Sequence, residues 1–541
     1  MLHGIGKTRE LIAAMRRARL MAPLRPDKYL RIAAAARHEG TMGTLGFAIA
    51  ARRCPERVGL VDELGQMTWR QLDERAAAFA AALQSIARGP QTTIGIMCRN
   101  HRGFVESLVA ANRIGADVVL LNTSFAGPAL ADVVKREGID IIIYDEEFVA
   151  AVDRALRNRP DAKRIIAWTD HPSAEDVTVD QLIAAHAGKR PGKTTSKGKL
   201  ILLTSGTTGT PKGATRSGGG PDALTAILNA MPWRAEETTV VMAPMFHAWG
   251  FFQLVFSAMM ACTIVTRRKF DAELTLELVE QHRATGLAVV PVMLDRIMEL
   301  PDEIRKRYPC RSLRFVASSG SRMRPDVVAA FMDQFGDIVY NNYNATEAGM
   351  IATACPEDLR AAPDTAGRPV SGTVIRILDD HFRDVPSGEV GQIYVRNGNQ
   401  FDHYTSGGSK DFHQGFMASG DVGYLDRAGR LFVVGRDDEM IVSGGENVYP
   451  IEVEKALAGH PDVAEAAVIG VDDEQFGQRL AAFLVLRPGA SATPDSFKNY
   501  IRQSLANYKV PREIVILDEL PRGSTGKIVP RELRAQVVGD R

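Results

Sequence analysis

The chain has 541 residues, 45% hydrophobic and 24% charged, enough to bury several cores and unlike a disordered tail. Lys plus Arg total 66 and Asp plus Glu 65, and a formal net charge of +1 excludes a protein built globally to bind nucleic acid. Five dispersed cysteines with no C-x-x-C pair read as a reduced, intracellular protein without a thiolate metal site.

The first forty residues set Lys7, Arg9, Arg16, Arg17, Arg19 and Arg25 among Leu11, Ile12 and Met15, a basic amphipathic pattern closed by Pro23 and Pro26. No apolar h-region with small residues follows, which argues against secretion. A helix packed on the main body is expected, because amphipathic faces normally cover a core; a membrane-surface helix and a transit peptide are the other readings. Thr68-Trp69-Arg70-Gln71 is a capping-box pattern that predicts a helix to about Gln84. Apolar runs at Thr93 to Met97, Asp117 to Leu121, Ile139 to Tyr144 and Arg164 to Trp168 then alternate with helical stretches, as in an α/β sheet fold.

A Gly-, Lys-, Ser- and Thr-rich loop, Gly188 to Lys199, leads into a predicted strand at Leu200 to Leu203. Further strands are predicted at Thr238 to Met242, Thr263 to Thr266, Leu287 to Val290 and Phe315 to Ala317. The run Phe251 to Val265 is shorter than the ~20 residues of a spanning helix, is interrupted by Gln253, and reads as a buried core helix. Past Gly435-Arg436-Asp437-Asp438 the texture changes: Pro450 opens a short helix, and Val463 to Val471 and Leu480 to Leu486 read as strands. The last hundred residues therefore form a separate small α+β domain.

The strongest local motif is Thr204-Ser205-Gly206-Thr207-Thr208-Gly209-Thr210-Pro211-Lys212-Gly213. Hydroxyls and glycines after a strand offer backbone N–H groups and Oγ donors to a phosphate, and Lys212 adds a positive charge. It is not a Walker A loop, because Pro211 and Gly213 flank the lysine where Gly and Ser or Thr would be needed.

Four further stretches follow: Met245-Phe246-His247-Ala248-Trp249-Gly250; Asn341-Asn342-Tyr343-Asn344-Ala345-Thr346-Glu347; Ser419-Gly420-Asp421 through Arg436 to Ser443-Gly444-Gly445-Glu446-Asn447; and Pro521-Arg522-Gly523-Ser524-Thr525-Gly526-Lys527. Together, and in this order, the five resemble the signature of the adenylate-forming superfamily of acyl-CoA synthetases, peptide-synthetase adenylation domains and luciferases, over nearly the whole chain from about residue 45. The fatty acyl-CoA ligase branch is the most similar.

The resemblance implies an α/β fold: a large N-terminal domain of β-sheets flanked by helices (45–436), a small mobile C-terminal α+β domain (437–541) and a basic helical extension (1–44). It implies that a carboxylic acid, as a medium- or long-chain fatty acid, reacts with ATP to give acyl-AMP and pyrophosphate, and that coenzyme A then displaces AMP. Lys527 matches the adenylation lysine, which would bridge carboxylate and phosphate oxygens as charge gathers in the transition state. Glu347 matches the Mg²⁺ ligand, with Thr346 contacting phosphate.

For the nucleotide, Tyr343 matches the residue stacked on adenine, Asn341 the side chain bonded to the base, Asp421 the ribose acceptor and Arg436 a second sugar contact, beside the phosphate loop Thr204 to Gly209 with Lys212. His247, Trp249, Gly320 and Asn344 form the expected acyl-binding set, His247 in positioning and not in proton transfer. Asp438 matches the hinge, and Ser443, Gly444, Gly445 and Glu446 the segment facing coenzyme A.

Three departures bear on the acyl substrate: Asn344 stands where the superfamily usually has Gly, Ser419 where Thr is common, and Asp402 to His413 is atypical. Transfer to a carrier protein in trans is the alternative within enzymes, and a non-catalytic acyl-adenylate or nucleotide binding protein the alternative outside them. A cytoplasmic location is expected; peripheral membrane contact through the basic N-terminus and a homodimer are left open.

Overall fold

The computed structural model describes residues 2–21, 27, 30, 32, 42–89, 91–125, 127–171, 176–194, 197–204, 212–215, 221–320, 323–379, 381–398, 403–404, 410–436, 441–443, 446–448, 450–473, 475–521, 528 and 530–538. Among these, the strands form a nine-stranded, a seven-stranded and two five-stranded sheets. The two large sheets are mainly parallel at their centres: Thr93–Met97 lies between Asp117–Leu120 and Ile141–Asp145, and Gly286–Val289 between Thr238–Val241 and Phe315–Ser319. Strands Thr93–Met97 and Ile141–Asp145 are buried at every position, as expected of parallel strands covered by helices on both faces.

The capping box forms as the sequence predicts. Thr68 Oγ1 accepts from the Gln71 N–H, and the Thr68 N–H donates to Gln71 Oε1, opening helix Trp69–Ile86. Trp69, Leu72, Phe79 and Leu83 of that helix share one core with Ile94, Ile96 and Phe104. The N-terminal helix Leu2–Arg17 packs on helix Pro221–Ala230, with Ala14 and Ala18 buried in a cluster with Leu228, Met231 and Trp233. Arg17 Nη2 donates to Asn229 Oδ1 at 2.6 Å, while Arg9, Arg16 and Arg19 stay exposed.

The run Phe251 to Val265 is not one helix. Helix Ala248–Met259 ends in a turn with Ala261 at φ 50°, and Thr263–Val265 joins the nine-stranded sheet, as its β-branched residues favour. Among the described residues, no helix is long and apolar enough to cross a membrane. All five cysteines are free.

The smaller C-terminal domain is built on a five-stranded sheet containing Ile441–Ser443, Glu446–Val448, Val463–Asp473, Gly477–Leu486 and Glu513–Leu517. Helices Pro450–Ala458 and Pro494–Arg502 pack on one another beside it. The molecule is thus the mixed α/β fold expected, with a large N-terminal sheet domain and a smaller C-terminal one.

Candidate active site at the carboxyl ends of the parallel strands

Ligand sites in parallel sheets form past the carboxyl ends of the strands, where loops carry side chains over a crevice. Here the two large sheets meet at such ends. Asn100, past strand Thr93–Met97, donates through Nδ2 to the Ala243 carbonyl at 3.0 Å and accepts from the Met245 N–H at 2.8 Å. This buried amide fixes the loop between strand Thr238–Val241 and helix Ala248–Met259, and so the position of His247 at that helix's N-terminus. Gly250 lets the helix start so close to the loop: a Cβ there would lie 2.2 Å from the Pro244 carbonyl oxygen.

His247 Nε2 stands 2.9 Å from Glu446 Oε1, and Asn122 Nδ2, past strand Asp117–Leu120, donates to Glu446 Oε2 at 3.3 Å. Burial alone would lower the His247 pKa, but the charge and hydrogen bond of Glu446 overcome it and raise the pKa above the ordinary histidine value. Burial works in the opposite sense on Glu446, where His247, Asn122 and Lys509 hold the carboxyl below its usual range. Trp249 Nε1 donates to the Val289 carbonyl at 2.9 Å, and its ring stacks with Phe252, which stacks with Phe256. Together they make an aromatic wall along one side of the helix.

Tyr343 Oη donates to Asp421 Oδ2, which ties strand Val339–Ala345 of the nine-stranded sheet to strand Phe416–Leu425 of the next sheet. Ser419 Oγ accepts from the Asp421 N–H at 3.1 Å, and Asp421 lies opposite Arg436 in the strand register. Asn341 Nδ2 donates to the Thr365 carbonyl at 3.0 Å, and Asn344 Nδ2 to Ser319 Oγ at 3.0 Å. Thr346 and Glu347 are half-buried in the turn between strands Val339–Ala345 and Gly349–Ala354. They are consecutive residues bearing a hydroxyl and a carboxylate, both hard oxygen donors.

Thr204 and Lys212 are placed by their backbones. Strands Leu200–Thr204 and Lys212–Thr215 pair antiparallel with Thr204 opposite Lys212. The atypical stretch after Asp402 adds a strand to this pair, His403 pairing with Thr215 and Tyr404 with Ala214. Ser443 lies opposite Glu446 on adjacent strands of the C-terminal sheet. Ser205, Gly206, Thr207, Thr208, Gly209, Asp438, Gly444, Gly445 and Lys527 lie outside the described residues.

The sequence reading missed Asn100, Asn122 and Ser319. Each is a polar residue at or just past a strand end, and that placement is the one signal that could have found them. Away from this crevice, Cys98, His101 and Asp145 bring a thiol, an imidazole and a carboxylate within 4.8 Å. His101 Nδ1 accepts from the Gly103 N–H at 3.0 Å, which puts the ring proton on Nε2, 2.8 Å from Asp145. Burial pushes the Cys98 thiol well up, so it stays protonated, and His101, held by Asp145, caps helix Arg102–Arg113.

The family model for AMP-binding enzymes matches residues 47–405, and the model for the AMP-binding enzyme C-terminal domain matches 452–527. The indoleacetate–CoA ligase of Aromatoleum aromaticum is 31% identical over 90% of this chain and 95% of its own. The 2-succinylbenzoate–CoA ligase of a Geobacillus species is 30% identical over 89% and 94%. Among solved structures, a double mutant of the o-succinylbenzoate CoA synthetase of Bacillus subtilis, bound to a product analogue, superposes with a TM-score of 0.76 at 26% identity over 90% of this chain and 98% of that one. With both family segments matched in order, the first over residues 47–405, the chain belongs to the AMP-binding enzyme family.

Proposed function

We propose that the protein is an AMP-forming acid–CoA ligase. One observation carries the reading: Glu446, from the Gly-rich segment expected to face coenzyme A, is docked on His247 at the expected acyl site. A carboxylate oxygen attacks the α-phosphorus of ATP, the bond to pyrophosphate breaks, and acyl-AMP remains. The thiol sulfur of coenzyme A, having lost its proton, then attacks the acyl carbon and the bond to AMP breaks.

In this scheme Tyr343 stacks on adenine, Asn341 bonds the base, and Asp421 and Arg436 hold the ribose, while the Thr204 to Gly209 loop and Lys212 hold the phosphates. Glu347 and Thr346 fit Mg²⁺, which would neutralise phosphate charge as it develops. Lys527 bridges the reacting oxygens in the first step, rotation at Asp438 exchanges it for the Ser443 to Glu446 segment, and the glycines 444 and 445 let pantetheine pass close to the backbone.

The acid has an apolar body lying against Trp249, Phe252 and Gly320. The names of the relatives support an aromatic body, and the aromatic wall also suits the medium- or long-chain fatty acid expected from the sequence. An AMP-release screen over fatty, aryl and steroid-like acids, with coenzyme A or a holo-carrier protein supplied separately, tests the reading. Thioester accumulating on coenzyme A supports it. AMP release only with the carrier assigns the alternative acceptor, and absence of pyrophosphate exchange with every acid favours a non-catalytic binder.

A further inference from the structure

We propose that Asn344 reads a hydrogen-bonding substituent near the carboxylate of the acid, so that the preferred substrate is a polar-substituted acid and not its plain hydrocarbon analogue. This rests on the acyl-site reading above and narrows its substrate class.

The argument begins with one carboxamide. Asn344 Nδ2 is held by Ser319 Oγ at 3.0 Å, while its Oδ1 is buried and bonds to none of the described residues. A carboxamide tied at one end and desolvated at the other is unfavourable as packing, because a buried acceptor without a donor forfeits the bonds it made to water. A glycine at this place in the strand would avoid that loss.

The position is continuous with the acyl wall. Trp249 donates to the Val289 carbonyl, Val289 pairs with Ser318 across two parallel strands, and Ser319, the next residue, holds Asn344. Gly320 follows at φ 106°, exposed, in the left-handed region that favours glycine. A Cβ built on it would approach only Val290 Cγ1, at 3.9 Å, so there is open space at Gly320, one residue beyond the serine that ties the amide. A substituent on the first few carbons of an acid lying there comes within reach of the free end of Asn344.

The chemistry of the substituent follows from the amide. Ser319 can donate or accept, so the carboxamide can turn over and present Oδ1 to a ligand hydroxyl or Nδ2 to a ligand carbonyl. A site built around such a bond rejects the analogue lacking the group, because the protein's own polar atom is then left unpaired.

The test uses ATP–pyrophosphate exchange by the full chain with two matched pairs: octanoate against β-hydroxyoctanoate, and phenylpropanoate against its ortho-hydroxyphenyl analogue. In at least one pair the hydroxylated acid is expected to have a kcat/KM about tenfold higher. Asn344→Gly should bring the ratio to near one, and Ser319→Ala, which releases the tied end, should lower it. A ratio near one in both pairs for the unaltered enzyme overturns the proposal. So does a ratio that survives Asn344→Gly or, if that variant does not fold, Ser319→Ala. Exchange needs no thiol, so failure to form a CoA thioester removes the ligase reading while the exchange ratio still decides this one.

Discussion

Glu446 uses both carboxylate oxygens to join the sheets: Oε1 stands 2.9 Å from His247 Nε2, and Oε2 accepts from Asn122 Nδ2 at 3.3 Å. A residue of the C-terminal sheet is thereby held between two strand-end loops of the large domain. The pair is fully formed when Glu446 has lost its proton and His247 keeps its own. Because the His247 pKa is raised by the contact, its contribution to docking is lost as pH rises through that raised value. Because the Glu446 pKa is lowered, its contribution is lost as pH falls through the lowered value.

Attack of coenzyme A on supplied acyl-AMP should therefore slow on the alkaline side of the raised His247 pKa. Glu446→Gln should move that limb to lower pH and slow the step about fivefold, roughly 1 kcal/mol for a partly exposed charged pair. Single-turnover rates across pH make the comparison, and an alkaline limb that stays in place in the variant would remove the pair from the step.

Tyr343 and Asp421 belong to different sheets, so their hydrogen bond sets the aromatic ring and the carboxylate proposed to hold the ribose relative to each other. Tyr343→Phe keeps the ring and deletes the bond. The KM for ATP should rise about fivefold, roughly the 1 kcal/mol of an ordinary hydrogen bond, with the KM for the acid unchanged. Equal rises in both constants would mean that Tyr343 serves the acyl side as well.

Most of the large elements were legible because their determinants are local. The Thr68 capping box opened the helix it predicts, and strand Thr93–Met97 has the predicted bounds. Strand Lys212–Thr215 was not legible, since Lys, Gly and Ala carry little strand preference and the pairing with Leu200–Thr204 supplies the order. Asn100 was hidden for a related reason: its partner Ala243 is 143 residues away, and no local pattern encodes such a contact. Gln253 was visible as an interruption of an apolar run, but not that it is fully buried, with both amide atoms unpaired among the described residues.

Asp295 gives a prediction about stability. It lies on helix Pro291–Met298, 5% exposed, and its Oδ1 has no hydrogen-bond partner among the described residues. Burial pushes its carboxyl up to about 6, against a weaker opposing pull from Arg324. The folded protein thus holds the proton more tightly than the unfolded chain, and stability falls as pH rises from about 4 through 6. Above that range the buried charge costs up to about 3 kcal/mol. Asp295→Asn should raise the urea midpoint at pH of about 8 and leave it nearly unchanged at about 4. Equal midpoints at both pH values would show that the carboxyl is not strained by burial.

The last prediction separates the two half-reactions. Glu446 of the C-terminal sheet is docked on His247 of the large domain, an arrangement that the proposed mechanism assigns to thiol attack. A lysine of that same domain acting in adenylation needs a second orientation, and the two residues should then fail in opposite ways. Lys527→Ala should cut pyrophosphate exchange by about 10²–10³, the usual loss on removing a group aimed at developing charge. Its rate with supplied acyl-AMP and coenzyme A should stay within about twofold, because the lysine has no charge to stabilise in that step. Glu446→Gln should show the reverse partition, with exchange retained and thiol attack slowed. If both half-reactions fall together in a folded Lys527→Ala protein, the lysine works in one orientation throughout, and rotation at Asp438 has no place in the mechanism.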